Sequence, residues 1–180
     1  MRRPVCTIDT SSVIALDHLG LLPQLSWLFS RVLLPKAVRA ELFRRRKMKD
    51  RVRAIFRDYT FFEACDDYDK AVADVLLIDR GKLGVRDRGE VEAVVQAAQV
   101  GAMVIVDDRW GRILAARHGR DSHGTLWVLR RLLELGLASS TTTRDRLVAL
   151  FRRGVRLPRK EVNDFLAEIG EPPIAKAGDT

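Results

Sequence analysis

At 180 residues the chain suits one domain of ordinary size, or one domain with a short appendage. Its 47% hydrophobic and 31% charged residues exclude a disordered tail, and no uninterrupted apolar stretch reaches the ~18 residues a membrane span would need. Lys and Arg number 32 against 24 Asp and Glu, a net charge of +8 that favours polyanions: nucleic acid first, an anionic membrane surface second, an acidic protein third.

The chain opens Met-Arg-Arg-Pro and then runs into an apolar stretch that Asp9 interrupts. That is neither a signal peptide nor a span, so a cytoplasmic protein is expected. Val5 to Ile8 is β-prone, and Thr10-Ser11-Ser12 opens a helical pattern through Val13, Ile14, Leu16 and Leu19 that Gly20 closes. Leu21 to Phe29 reads as a second short helix, and Val32-Leu33-Leu34 as a buried strand. Pro35 stands where a helix can begin without losing a hydrogen bond. That helix carries Val38, Glu41 and Leu42 and is expected to dissolve into the basic run Arg44-Arg45-Arg46-Lys47-Met48-Lys49.

Further on, Asp50 to Tyr59 reads as helix, Thr60 to Ala64 as strand and Asp69 to Asp79 as helix. Gly81-Lys82-Leu83-Gly84 reads as a loop. Arg88 to Val100 has an apolar stripe at Val91, Val94, Val95 and Ala98, and Gly101 stops it. Met103 to Val106 is the best strand pattern and ends in Asp107-Asp108; a helix through Ile113, Leu114 and Ala116 follows. Gly124-Thr125 precedes a helix over Leu126 to Leu135, and two more helical stretches cover about 141–152 and 159–169. Strands alternating with helices predict a three-layer α/β/α sandwich with a mainly parallel sheet, plus C-terminal helices. Polar groups just past the C-terminal ends of such strands share one crevice.

Each acid has an ordinary explanation. Asp9 suits a helix N-cap, Glu90 the far end of a capping box opened by Asp87, and Glu41 an ion pair with Arg45 one turn on. Asp107 and Asp108 can cap the helix after them. Together they say more. Asp9 and Asp107-Asp108 leave strands at one sheet edge, while Glu41 and Glu90 lie near helix starts that feed it. Carboxylates crowded there raise one another's pKa, a conflict that a divalent cation removes, and hard oxygen ligands suit Mg²⁺ or Mn²⁺. Such ions activate water and neutralise charge on a phosphodiester.

Val5-Cys6-Thr7-Ile8-Asp9-Thr10-Ser11-Ser12, Leu34-Pro35-Lys36-Ala37-Val38-Arg39-Ala40-Glu41-Leu42, Arg88-Gly89-Glu90-Val91-Glu92-Ala93, Val104-Ile105-Val106-Asp107-Asp108-Arg109 and Gly124-Thr125, in that order, resemble the PIN-domain superfamily. The closer resemblance is to its VapC-like prokaryotic branch. It implies a nuclease domain over 1–138, followed by a C-terminal helical extension over 139–180 packed on or after it. It also implies metal-dependent endoribonuclease chemistry on RNA, often as a toxin held by a small antitoxin protein, and often as a homodimer. Carried over by position, Asp9, Glu41 and Glu90 are the site acids, joined by Asp108, Asp107 or both, with strand spacing favouring Asp108. Ser11 orients Asp9 or a phosphate, and Thr125 does similar work or caps a helix.

One departure is Arg120-Asp121-Ser122-His123, where the family places a short apolar edge strand; either that strand is missing or Asp121 and His123 join the rim. His18, His118 and His123 have no metal-ligand spacing, and Trp27, Trp110 and Trp127 suit packing. Arg44, Arg45, Arg46 and Lys47 form either a solvated helix face or an RNA-backbone contact beside Glu41. Cys6 and Cys65 form no CxxC pair and read as buried thiols. The rival functions are a non-catalytic PIN-like RNA-binding module, a phospho-accepting receiver and an Asp-x-Asp hydrolase. The receiver lacks a second acid at the first strand. In the hydrolase pattern, Ser11 stands where the second Asp belongs.

Overall fold

The computed structural model describes residues 3–79, 88–155 and 157–175, with the backbone alone at Arg46, Lys47 and Asp79. The expected Gly81–Gly84 loop and the Asp87 end of the capping box lie outside the described residues. Five strands, β1 (Val5–Ile8), β2 (Arg31–Leu34), β3 (Phe62–Ala64), β4 (Met103–Ile105) and β5 (Ser122–His123), form one parallel sheet in the order β3-β2-β1-β4-β5. Cys6 lies opposite Val32 on one side and Met103 on the other. The chain therefore builds outward from β1 to β2 and β3, then returns to build β4 and β5 on the other flank. The reversal falls between β1 and β4, and their C-terminal ends open a crevice there.

Helices α1 (Thr10–His18), α2 (Leu25–Leu28), α3 (Lys36–Arg44), α4 (Arg46–Asp58), α5 (Lys70–Asp79), α6 (Arg88–Val100), α7 (Arg109–Arg117), α8 (Thr125–Glu134), α9 (Ser140–Arg152) and α10 (Arg159–Glu168) complete the described elements. Alternate strand residues face opposite sides of the sheet and seed two cores. Cys6, Ile8, Val32, Leu34 and Ile105 join α1, α8, α9 and α10 through Leu16, Leu129, Leu150 and Phe165. Val104 and Val106 join α5, α6 and α7 through Ala73, Val94 and Leu114. The result is a three-layer α/β/α sandwich. Each aliphatic side chain buried this way contributes roughly 1.5–3 kcal/mol. No described helix is long and apolar enough to cross a membrane.

Several expectations need correcting. The helix expected over Leu21–Phe29 shrinks to Leu25–Leu28, preceded by turns. The basic run does not end helical structure. Only Arg45 is extended, and its carbonyl accepts the Met48 and Lys49 N–H groups that start α4. Helix α4 persists because Met48, Val52 and Ile55 bury one face in the first core while Lys49, Arg53 and Arg57 stay outside. The edge strand is present as β5. Val104 and Val106 donate to the Asp121 and His123 carbonyls, and such backbone pairing needs no apolar side chain. Cys6 is buried and Cys65 only partly so; both are free thiols.

One buried acid ties the layers together near the crevice. Glu92 of α6 accepts the Ala37 N–H of the first turn of α3 at 2.8 Å and the Arg88 Nε–H at 2.8 Å. It thereby caps the helix that carries Glu41. Glu92→Ala leaves an orphan amide and a weakened Arg88, so it should destabilise the fold by about 2 kcal/mol in urea unfolding. A change within ~0.5 kcal/mol would mean that the link is not structural.

Candidate active site

Asp9 follows β1 and caps α1. Its carboxylate accepts the Ser12 N–H at 2.9 Å, the Ser11 N–H at 3.3 Å and the Ser11 hydroxyl. An N-cap is usually exposed, but Asp9 is only 2% exposed because the end of β4 lies beside it: its own N–H donates to the Ile105 carbonyl. Burial pushes its pKa from 3.8 up to about 6, the charge of Asp107 pushes the same way, and the serine hydrogen bonds oppose both.

Asp107 is the second member of the pair. Its carboxylate accepts the Thr125 N–H at 2.7 Å, the Thr125 hydroxyl at 2.6 Å and the Ser12 hydroxyl at 3.4 Å. Burial raises its pKa too, against those donors and the charge of Arg112. The Gly-Thr step now has a physical reason. A Cβ on Gly124 would stand 2.6 Å from Asp107 Oδ1, so only glycine lets Thr125 grip that carboxylate. Thr125 is thus the first residue of α8, with Gly124 as the cap.

Glu41 reaches the same turn of α1. It accepts the Thr10 hydroxyl at 2.6 Å and the Gly89 N–H at 3.2 Å, so its expected partner Arg45 is replaced by α1 and α6. A Cβ on Gly89 would press within 3.1 Å of both Glu41 and Thr10, which is why α6 opens on glycine here. Burial raises the Glu41 pKa against Thr10, Gly89, Arg44 and Arg45. Glu90, in the first turn of α6, lines the crevice with Ser11, Asp107, Asp108, Arg109 and Arg112.

Asp107 and Asp108, left unresolved by strand spacing, have different environments. Asp107 turns in toward Asp9, whereas Asp108 is exposed and caps α7 through the Trp110 and Gly111 N–H groups at 2.8 and 3.3 Å. Of the two, Asp107 is the one that shares a donor, Ser12, with Asp9. His123 stacks on Trp127 with ring centroids 4.2 Å apart, next to Asp107 in the cavity under α10. Trp27 is 60% exposed and does not pack as expected. Arg44 and Arg45 are exposed at the end of α3, and the side chains of Arg46 and Lys47 lie outside the described residues.

Sequence reasoning missed Thr10, Ser12, Glu92 and Arg112. The first two were hidden as ordinary helix-start residues. Arg112 donates toward the Asp107 carbonyl at 3.4 Å and stands 3.9 Å from Glu161 of α10, so a residue from the far end of the chain forms part of the wall. Among the described residues, no group of three or more His, Cys, Asp or Glu side chains is already arranged to hold a metal ion. The donor set still fits a hard cation. It is all oxygen, and desolvation makes Asp9, which is buried, and Asp107, which is partly so, costly to charge without a counterion.

An all-parallel α/β/α sandwich with acids at its switch point has the layout of a nuclease-type fold. The chain belongs to the PIN-domain family: a family model described as a PIN domain matches residues 5–171. PIN domains are generally nucleases and typically use divalent metals. No curated protein matches the chain.

The Asp9 shift sets a pH dependence. The folded state holds the proton more tightly than the unfolded chain, so Asp9 costs nothing below pH 3.8, where both are protonated. The cost grows up to about pH 6 and is complete above it, on the order of 3 kcal/mol. In chelator, Asp9→Asn should therefore be more stable than the parent by roughly 1–3 kcal/mol near neutral pH, a gap that closes toward ~pH 4. Urea unfolding across that range checks it; a gap that widens as pH falls would have the wrong sign.

Proposed function

We propose that the protein is a metal-dependent endoribonuclease in which Asp9, Glu41, Glu90 and Asp107 hold Mg²⁺ or Mn²⁺. The observation that supports this reading is the Asp9–Asp107 pair, the first buried and the second partly so, which share Ser12 as a donor and are both raised in pKa by desolvation. Perturbed acids in a cleft are the signature of a working site. A bound ion supplies activation of a water and neutralisation of phosphodiester charge. The chain's own residues do the positioning. Ser11 and Ser12 hold Asp9, Ser12 and Thr125 hold Asp107, and Thr10 holds Glu41. Arg109 and Arg112 in the crevice, with Arg44 near Glu41, draw the RNA backbone past acids that would otherwise repel it, and the basic run Arg44, Arg45, Arg46 and Lys47 adds to that charge in sequence.

The resemblance to the VapC-like branch extends the proposal to a cytoplasmic toxin that a small antitoxin protein holds in check, working as a homodimer. One observation favours a second reading, a non-catalytic RNA-binding module: the acids do not form a ready three-ligand cluster.

Cleavage of single-stranded RNA in Mn²⁺, blanked with chelator, separates the two. Asp9→Ala, Glu41→Ala, Glu90→Ala and Asp107→Ala should each lower the rate on the order of 100-fold or more. Asp108→Ala should keep cleavage and lose only its cap, about 1 kcal/mol of stability. The opposite pattern for Asp107 and Asp108 would reassign the fourth acid. RNA binding without cleavage by the intact protein would favour the binding module.

A further inference from the structure

A separate cavity of about 310 Å³ opens beside Glu41, between α3, the start of α5 and the first turn of α6. Lys36, Ala40, Glu41, Arg44, Tyr68 and Lys70 line it, together with the Arg88–Glu92 pair. The charge balance is lopsided. Glu92 pairs with Arg88, which also reaches Asp74, and accepts the Ala37 N–H; the other charges on the lining are Lys36, Arg44 and Lys70 against Glu41, on which Arg44 already acts. Among the described residues, none of those three cations makes a side-chain hydrogen bond or ion pair. The floor is apolar, formed by Ala37, Ala40 and Tyr68, and the Tyr68 hydroxyl is bonded toward Glu92.

An apolar floor under a rim with three cations to one acid outside the Arg88–Glu92 pair fits a base or ribose with its phosphate. The volume lies at the low end of small-ligand pockets, which run roughly 300–1,000 Å³. It admits one splayed residue and no base pair. We propose that this cavity is a subsite for one unpaired nucleotide of the RNA strand, next to the scissile position. Its phosphate sits on Lys36, Arg44 and Lys70, and its base or sugar rests on Ala40 and Tyr68. The subsite rests on the ribonuclease reading, because Glu41, which lines it, is one of the acids proposed there to hold the ion. It also makes the enzyme selective for single-stranded segments, since a paired base cannot turn into a cavity of this size.

Two variants test it: Ala40→Leu fills the cavity, and Lys70→Glu reverses its rim. Both positions are exposed, and unchanged thermal melts will show that the fold is kept. Arg152→Glu is the control. It makes the same charge change at the exposed end of α9, where the neighbouring Arg153 donates to the His18 carbonyl at the far end of α1 from Asp9. Binding of a labelled single-stranded RNA oligonucleotide is read by anisotropy in chelator, and cleavage is read separately in Mn²⁺. The two cavity variants should each weaken binding about tenfold, with Lys70→Glu also flattening the salt slope by about 0.7, while the control changes affinity less than about twofold.

Affinity kept by both cavity variants overturns the subsite, whatever the cleavage assay shows. Cavity-sensitive binding by a protein that cleaves nothing upholds the subsite and overturns the nuclease reading. A parent protein with no affinity for RNA overturns both.

Discussion

The structure turns on the placing of two carboxylates side by side at a sheet edge, Asp9 buried and Asp107 partly so on the wall of the crevice. Asp9 and Asp107 leave adjacent parallel strands at the point where strand order reverses, so the backbone delivers both to one place. A protein seeking only stability would not bury this pair uncompensated, because burial penalises the charged form of each and their charges oppose. The surrounding architecture lowers that cost by hydrogen bonding without removing it. The residual strain is what a divalent cation would relieve, and it links the fold to nuclease chemistry.

The first turn of α1 does most of this work. Three successive hydroxyl residues serve three acids from different parts of the chain: Thr10 holds Glu41, Ser11 holds Asp9, and Ser12 bridges Asp9 and Asp107. Two glycines make room for them. Gly89 lets α6 approach Glu41, and Gly124 lets Thr125 close on Asp107. Behind them, Glu92 fixes the start of α3 and so the direction from which Glu41 arrives.

Much of this was legible in the sequence, for reasons that can be stated. The strands over Val5–Ile8 and Met103–Ile105 are apolar runs ending in acids, and parallel sheets buried on both faces produce that pattern. The α6 stripe and the helix stops at Gly20 and Gly101 follow from helical period and from positive φ. Less legible were features that depend on partners distant in sequence. Strand β5 is held by backbone hydrogen bonds, so Asp121-Ser122-His123 gave no apolar signal. Helix α4 survives its charge density because one face meets the first core. The choice between Asp107 and Asp108 was hidden because adjacent residues on an extended segment point opposite ways. Which one turns inward is fixed by Thr125, 18 residues later.

The most direct measurement is calorimetric titration of the protein with Mn²⁺ near pH 6, repeated in buffers of different ionisation enthalpy so that released protons are counted. A cation that enters the buried pair must displace the proton that Asp9, with its pKa raised to about 6, still partly carries. Saturable binding with release of a fraction of a proton, reduced in Asp9→Asn, is the expected result. Binding that releases no proton and persists in Asp9→Asn, or no binding at millimolar Mn²⁺, would contradict the claim that this pair is a cation site.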